Sequence, residues 1–205
     1  MLFRSDGDLA PLPELSALAQ AHDCWLMSDD AHGIGVLGRG RGSTFAFAPM
    51  PEVPLQMGTL SKAIGSYGGY ICASARVIDF IKSRARTLIY STALPPASVA
   101  AAIAAIDIIN ADVALTELPL QKARAFTRAL GLPEAQSPIV PFVLGSAERA
   151  LAASKALEDD GFLVAAIRPP TVPMGTARLR FTFTAAHADG DIARLVGAVR
   201  RITQP

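Results

Sequence analysis

Two cysteines, Cys24 and Cys72, are all the thiol chemistry in 205 residues, and they stand far apart in apolar runs. That spacing excludes a disulfide framework and makes a reducing cytoplasm the expected setting. Aromatic residues are scarce, at 6% with a single Trp, and no Lys/Arg cluster interleaves with them. With 19 basic against 18 acidic side chains the formal net charge is +1, so nucleic acid is not an expected partner. Long apolar runs are missing too. The longest, around Ala97 to Ile109, is interrupted by Asp107 and is too short to cross a bilayer. The N-terminus has no basic region followed by an apolar core, so neither membrane insertion nor secretion is expected.

What is present is enough apolar material, 51% hydrophobic against 18% charged, for one substantial core or two small ones. Helical spacing of Leu12, Leu15, Leu18 and Ala19 predicts a helix over 11–22 that feeds a buried strand, Cys24 to Met27. A second apolar segment, Val53 to Met57, and a short strand, Gly69 to Ala73, complete a partial sheet. A long helix from Pro95 to about Asn110 is expected to cover that sheet. Beyond it come a helix Leu118 to Leu130, a strand Ile139 to Leu144, a helix Ala147 to Asp159, and a strand pair around Leu163 to Ile167 and Ala177 to Thr184. The expected organisation is therefore 1–112, part of an α/β domain, followed by 113–205, a small α+β domain.

Two polar clusters terminate apolar segments: Ser28-Asp29-Asp30-Ala31-His32-Gly33, and Gly58-Thr59-Leu60-Ser61-Lys62 running into Gly65-Ser66-Tyr67-Gly68-Gly69. Both fall at the carboxyl ends of predicted strands, the edge where open α/β sheets bind ligands. Alone, a lysine in a Gly/Ser loop is usually solvated, and Asp29-Asp30 reads as a turn or helix cap. Together they offer an acid that can keep a pyridine nitrogen protonated, an imidazole that can stack on or bond the same ring, and a nucleophilic amine, which is what pyridoxal phosphate needs. No other His or Cys falls at ligand spacing near His32, so no metal is expected.

The runs Asp29-Asp30-Ala31-His32-Gly33-Ile34-Gly35-Val36-Leu37-Gly38, Gly58-Thr59-Leu60-Ser61-Lys62 and Tyr90-Ser91-Thr92-Ala93-Leu94-Pro95-Pro96 occur in that order. In order and spacing they resemble successive motifs of the α-oxoamine synthases. The resemblance implies the C-terminal part of a fold-type I, aspartate aminotransferase-like transferase dependent on pyridoxal 5'-phosphate. Its activity would be the decarboxylative condensation of an amino acid with an acyl thioester by a homodimer. The tail Ile167-Arg168-Pro169-Pro170-Thr171-Val172-Pro173 with Gly175 to Arg180 favours the member that joins L-alanine to a pimeloyl thioester.

Carried over by that resemblance, Lys62 is the Schiff-base lysine and proton carrier, Asp29 the partner of the pyridine nitrogen, and His32 a contact to the phenolic oxygen. Thr59 is a phosphate contact, Ser91 and Thr92 are phosphate contacts offered to the neighbouring subunit, and Thr171 and Arg180 meet the substrate. Two alternatives stay open: a synthase using glycine or serine with another acyl thioester, and a non-catalytic remnant that only dimerises. For Arg168, Arg178 and Arg180, alternation on a strand also predicts an ordinary solvent face.

The resemblance covers nearly all of this chain, whereas the family's N-terminal half is absent from it. The expectation is a chain that starts in mid-domain and alone is poorly stable and inactive, with unpaired edges and apolar faces exposed. Near the start, Arg4 stands where the family carries a cofactor-contacting serine, unless Ser5 substitutes.

Overall fold

Leu55–Thr59 (β2) is the middle strand of a small sheet, with Met27–Asp29 (β1) parallel on one side and Gly69–Cys72 (β3) antiparallel on the other. The computed structural model describes residues 6–203, so Arg4 and Ser5 lie outside the described residues. The described residues divide into two compact units, one of 9–117 and one of 118–203 that also includes 6–8. The division between these units follows Glu117, inside the helix Val113–Leu130.

In the first unit, Leu12–Ala21 (α1) is anchored by buried Leu12 and by Ser16, whose hydroxyl donates to the Glu52 carbonyl at 2.8 Å. The expected buried strand from Cys24 is corrected: the strand runs only over Met27–Asp29, the Leu26 carbonyl accepting from the Leu55 amide at 3.3 Å just before it, and Trp25 and Met27 are 65% and 54% exposed. Among the described residues β1 pairs on one side only, which leaves its outer edge unpaired. The helices Ala75–Arg84 (α2) and Arg86–Ile89 (α3) bury no side chain. Pro96–Ala111 (α4) buries only Ala102, and Ile103 and Ile108 stand 56% and 54% exposed. Two loops lie against this helix: Ser66 donates to the Ser98 carbonyl at 2.6 Å, and Ile109 lies beside Gly35 and Gly40.

Ser28, in the middle of β1, is 2% exposed and its hydroxyl has no hydrogen-bond partner. Removing an unsatisfied buried hydroxyl is favourable. Ser28→Ala is expected to raise stability by about 1 kcal/mol, read as a higher urea midpoint at unchanged slope.

The second unit closes its own core. Its sheet has the order Ile139–Gly145 (β4), Ala177–Thr182 (β6), Ala165–Ile167 (β5), all antiparallel. Val113–Leu130 (α5), Ala147–Asp159 (α6) and Asp189–Thr203 (α7) supply apolar faces to it. Phe126, Leu157, Leu179 and Val199 are fully buried together. Ser146 caps α6 by accepting from the Arg149 amide at 3.2 Å.

The N-terminal residues 6–8 fasten onto this unit. Gly7 has φ of 70° and lies so close to the chain that a Cβ there would sit 2.0 Å from the Ile139 carbonyl oxygen. Asp6 pairs with the guanidinium of Arg178, whose Nε donates to the Thr176 carbonyl at 2.9 Å. Arg178 is thus 7% exposed, which corrects the expected solvent face of alternating arginines. Asp6→Ala leaves a buried guanidinium without its carboxylate and is expected to cost about 1–3 kcal/mol, measured by chemical unfolding.

Candidate active site

Strands β1 and β2 are parallel and in register Asp29 to Met57, so their carboxyl ends open on the same edge. Asp29 is the last residue of β1 and Thr59 the last of β2, and both polar clusters leave the sheet there, as the sequence implies.

The loop after β2 is organised by its own hydroxyls and amides. Thr59 Oγ1 donates to the Gly68 carbonyl at 3.0 Å, lies 2.7 Å from Ser61 Oγ, and accepts from the Ser61 amide at 3.2 Å. The Leu60 amide also bonds Gly68 O, at 2.8 Å, and the Gly65 amide bonds Lys62 O at 2.9 Å. Gly65 takes φ of 68°, and a Cβ there would meet nothing, so the loop faces open space. Lys62 is exposed on that loop. With its donor on Gly68 and Ser61 on its acceptor side, Thr59 shapes the loop first. Ser61 is the more exposed hydroxyl of the pair.

After β1, Asp29 is half-buried and its Oδ1 accepts from the Ala31 amide at 3.0 Å, which starts a tight turn. His32 sits half-buried in that turn. Asp30 points the other way, into the protein, and is 6% exposed. Burial pushes its carboxyl above the ordinary aspartate range, opposed by hydrogen bonds from Ser43.

Tyr70 was not singled out by sequence reasoning. It pairs across the sheet with Gly58, and a Cβ on Gly58 would lie 2.4 Å from the phenol oxygen, so glycine is what lets the ring lie flat on β2. Burial, with the nearby Asp30, Cys72 and Asp29, pushes its hydroxyl up to about 12. It therefore remains a hydrogen-bond donor at neutral pH. The alternation of Gly58 and Tyr70 on paired strands was the available signal, and it is visible only once the register is known.

Ser91 and Thr92 are exposed just after α3, and the Ser91 hydroxyl bonds back to the Thr87 carbonyl. Thr171 and Arg180 belong to the second unit. Thr171 is exposed with its amide on Arg168 O at 3.0 Å, and Arg180 lies half-buried on β6 between Pro141 and Ala165. A cleft of about 370 Å³ in that unit, lined by Phe162, Phe183, His187, Asp191 and Arg194, contains none of the sequence-predicted residues. Among the described residues no group of His, Cys, Asp and Glu is placed to hold a metal ion.

The residues at the common edge of β1 and β2 fit pyridoxal phosphate. A carboxylate, an imidazole, two hydroxyls 2.7 Å apart and an amine are carried on two loops leaving adjacent parallel strands, with open space before Gly65.

The chain is 68% identical to an 8-amino-7-oxononanoate synthase of Methylocella silvestris and 61% identical to one of Maricaulis maris, matching 99% of this chain in each case. It spans 58% and 52% of those proteins, about half the length of the relatives it matches. A serine palmitoyltransferase from S. paucimobilis, solved with a bound PLP–myriocin aldimine, superposes with a TM-score of 0.91 at 30% identity, covering 98% of this chain and 52% of that one. The architecture is accordingly the C-terminal part of the fold-type I transferase fold. With the profile of aminotransferase class I and II matching residues 3–199, the chain belongs to the aminotransferase class I and II family.

Proposed function

We propose that this chain carries the lysine-bearing half of the active site of an 8-amino-7-oxononanoate synthase, which condenses L-alanine with a pimeloyl thioester in biotin formation. The observation that carries the reading is the placement of Asp29 and Lys62 on loops leaving the same edge of two adjacent parallel strands. High identity to proteins of that name over almost the whole chain supports the choice of reaction.

When bound, pyridoxal phosphate supplies an electron sink for the charge that develops at the amino acid's α-carbon. Lys62 would provide the amine that holds the cofactor and the base that moves a proton at the amino acid's α-carbon. Asp29 would hold the pyridine nitrogen with its carboxylate and favour its protonated form, and His32 would hold the phenolic oxygen. Ser61 and Thr59 supply hydroxyls for the phosphate. Ser91 and Thr92 would serve the partner subunit of a homodimer, while Thr171 and Arg180 would meet the substrate, Arg180 at its carboxylate. Turnover is proposed to need the additional segment that the relatives carry, in keeping with the exposed apolar faces of the first unit.

The test is an absorbance spectrum of the purified chain with pyridoxal phosphate, followed by borohydride reduction and mass mapping. A visible-range band with the label on the Lys62 peptide is the expected result. Label spread over surface lysines, with none at Lys62, would overturn the assignment. Titration with alanine, glycine and serine then discriminates the alternatives, since the amino acid that perturbs the band identifies the substrate.

A further inference from the structure

Asp30 adjoins one proposed ring contact in sequence and stands two residues from another, yet its side chain faces away from the edge on which they sit. Its carboxylate receives two hydrogen bonds from one residue: the Ser43 amide donates to Oδ2 at 2.9 Å, and the Ser43 hydroxyl donates to Oδ1. Its own backbone is equally committed. The Asp30 amide donates to Met57 O at 2.7 Å, extending the β1–β2 pairing by one residue, and its carbonyl accepts from the amides of Gly33 at 3.0 Å and Ile34 at 3.2 Å.

Two glycines close over the carboxylate. A Cβ at Gly33 would lie 2.0 Å from Oδ1, and one at Gly42, where φ is 107°, would lie 2.1 Å from Oδ2. Ser43 is 1% exposed and begins a 3-10 turn, Ser43–Ala46. The whole stretch 30–43 is thus folded around one buried acid. Such an arrangement is costly unless every acceptor is satisfied, and here both oxygens are.

We infer that Asp30 is the positioning residue of the site: by binding Ser43 through both oxygens it locks the 30–34 turn and so sets the direction of Asp29 and His32. The inference rests on the reading of Asp29 and His32 as cofactor contacts. An asparagine at position 30 keeps the shape but offers only one acceptor, so one of the two Ser43 donors faces an NH2 group. The lock is therefore selective for aspartate, and loss of the Ser43 hydroxyl should weaken it without removing it.

Three variants of the 205-residue chain test this: Asp30→Asn, Ser43→Ala and, as a control of equal burial in the same turn, Thr44→Val. Thr44 is 2% exposed and bonds Gln56 rather than Asp30. Without cofactor, amide exchange at Gly33 and Ile34 is expected to accelerate about tenfold in the first two variants. The His32 ring resonances should shift with it. Thr44→Val should change neither, whatever it does to the unfolding midpoint. In the presence of cofactor, borohydride labelling of Lys62 at limiting pyridoxal phosphate should fall in the same two variants.

Unchanged Gly33 and Ile34 exchange and an unchanged His32 signal in folded Ser43→Ala and Asp30→Asn would overturn the inference. So would an equal response in Thr44→Val. If Asp30→Asn does not fold, Ser43→Ala alone decides. A wild-type chain that takes no label at Lys62 counts against the cofactor reading, while the cofactor-free exchange and ring signals still judge Asp30.

Discussion

Lys62→Ala is expected to lower turnover by about 10^4-fold or more while leaving stability within about 0.5 kcal/mol of the parent. The two halves of that expectation come from the same observation. Lys62 is exposed on a loop whose shape is set by Thr59, Ser61, Gly65 and Gly68 through backbone and hydroxyl bonds, so its side chain contributes little to folding. On the proposed reading, in which Lys62 holds the cofactor and carries the proton, it has no substitute among its neighbours, because Ser61 and Ser66 lack a basic nitrogen. The measurement is turnover by a protein that carries this chain behind the N-terminal segment of a relative, paired with a urea melt. Loss of activity together with loss of stability would assign Lys62 a structural part. Retained activity would move the covalent chemistry elsewhere.

The two units stand differently on their own. Most of the large exposed apolar side chains among the described residues belong to the first, from Trp25 on the β1 flank to Tyr90 after α3 and Ile108 on α4, although Leu163 and Met174 stand exposed in the second. The largest buried cluster belongs to the second. At roughly 25 cal/mol per Å² of apolar surface removed from water, an uncovered Ile or Trp forgoes on the order of 1 kcal/mol or more. The chain spans about half of its relatives' length, and a face of this size is what a further segment or subunit would cover. The candidate loops are carried by the unit with the smaller buried core, and hydrogen exchange is expected to open that unit first.

Elements whose boundary signals are local were legible in the sequence. Helix α6 begins after Ser146 and ends at Asp159, where capping and apolar spacing place it, and α4 starts at a proline pair. Both candidate loops were found because a strand that stops at Asp-Asp or Gly-Thr leaves a chemically unusual cluster behind. Helix α7 was overlooked although Ile192, Leu195, Val196 and Val199 trace one face, with Asp189 and Asp191 in its first turn and Arg200 and Arg201 in its last. Helix α2 buries nothing, so packing gives its pattern no direction. What could not be read were contacts between distant residues: Asp6 with Arg178, Tyr70 over Gly58, and Asp30 with Ser43. Each depends on which strands or loops pair, and a buried acid such as Asp30 looks in sequence like a second copy of its neighbour Asp29.

Phe126→Ala in the second unit is expected to lower stability by about 3–5 kcal/mol, the largest folding effect anticipated for a single side chain here. Phe126 is 0% exposed on α5, and its ring meets Phe181 and Phe183 with centroids 4.7 and 5.2 Å apart. Phe181 and Phe183 lie on and just beyond β6, the central strand, so the deletion opens a cavity where the helix meets the sheet. Leu157, Leu179 and Val199 are already fully buried and in contact with their own neighbours, which limits how far they can collapse into the gap. Against a total stability of about 5–15 kcal/mol for a typical domain, such a loss removes a large share of the folding free energy and shifts the denaturant midpoint of the second unit downward. Near-ultraviolet circular dichroism and a denaturant melt measure it. A loss below about 1 kcal/mol would mean that the aromatic cluster relaxes around the vacancy and that α5 is held chiefly by contacts outside it.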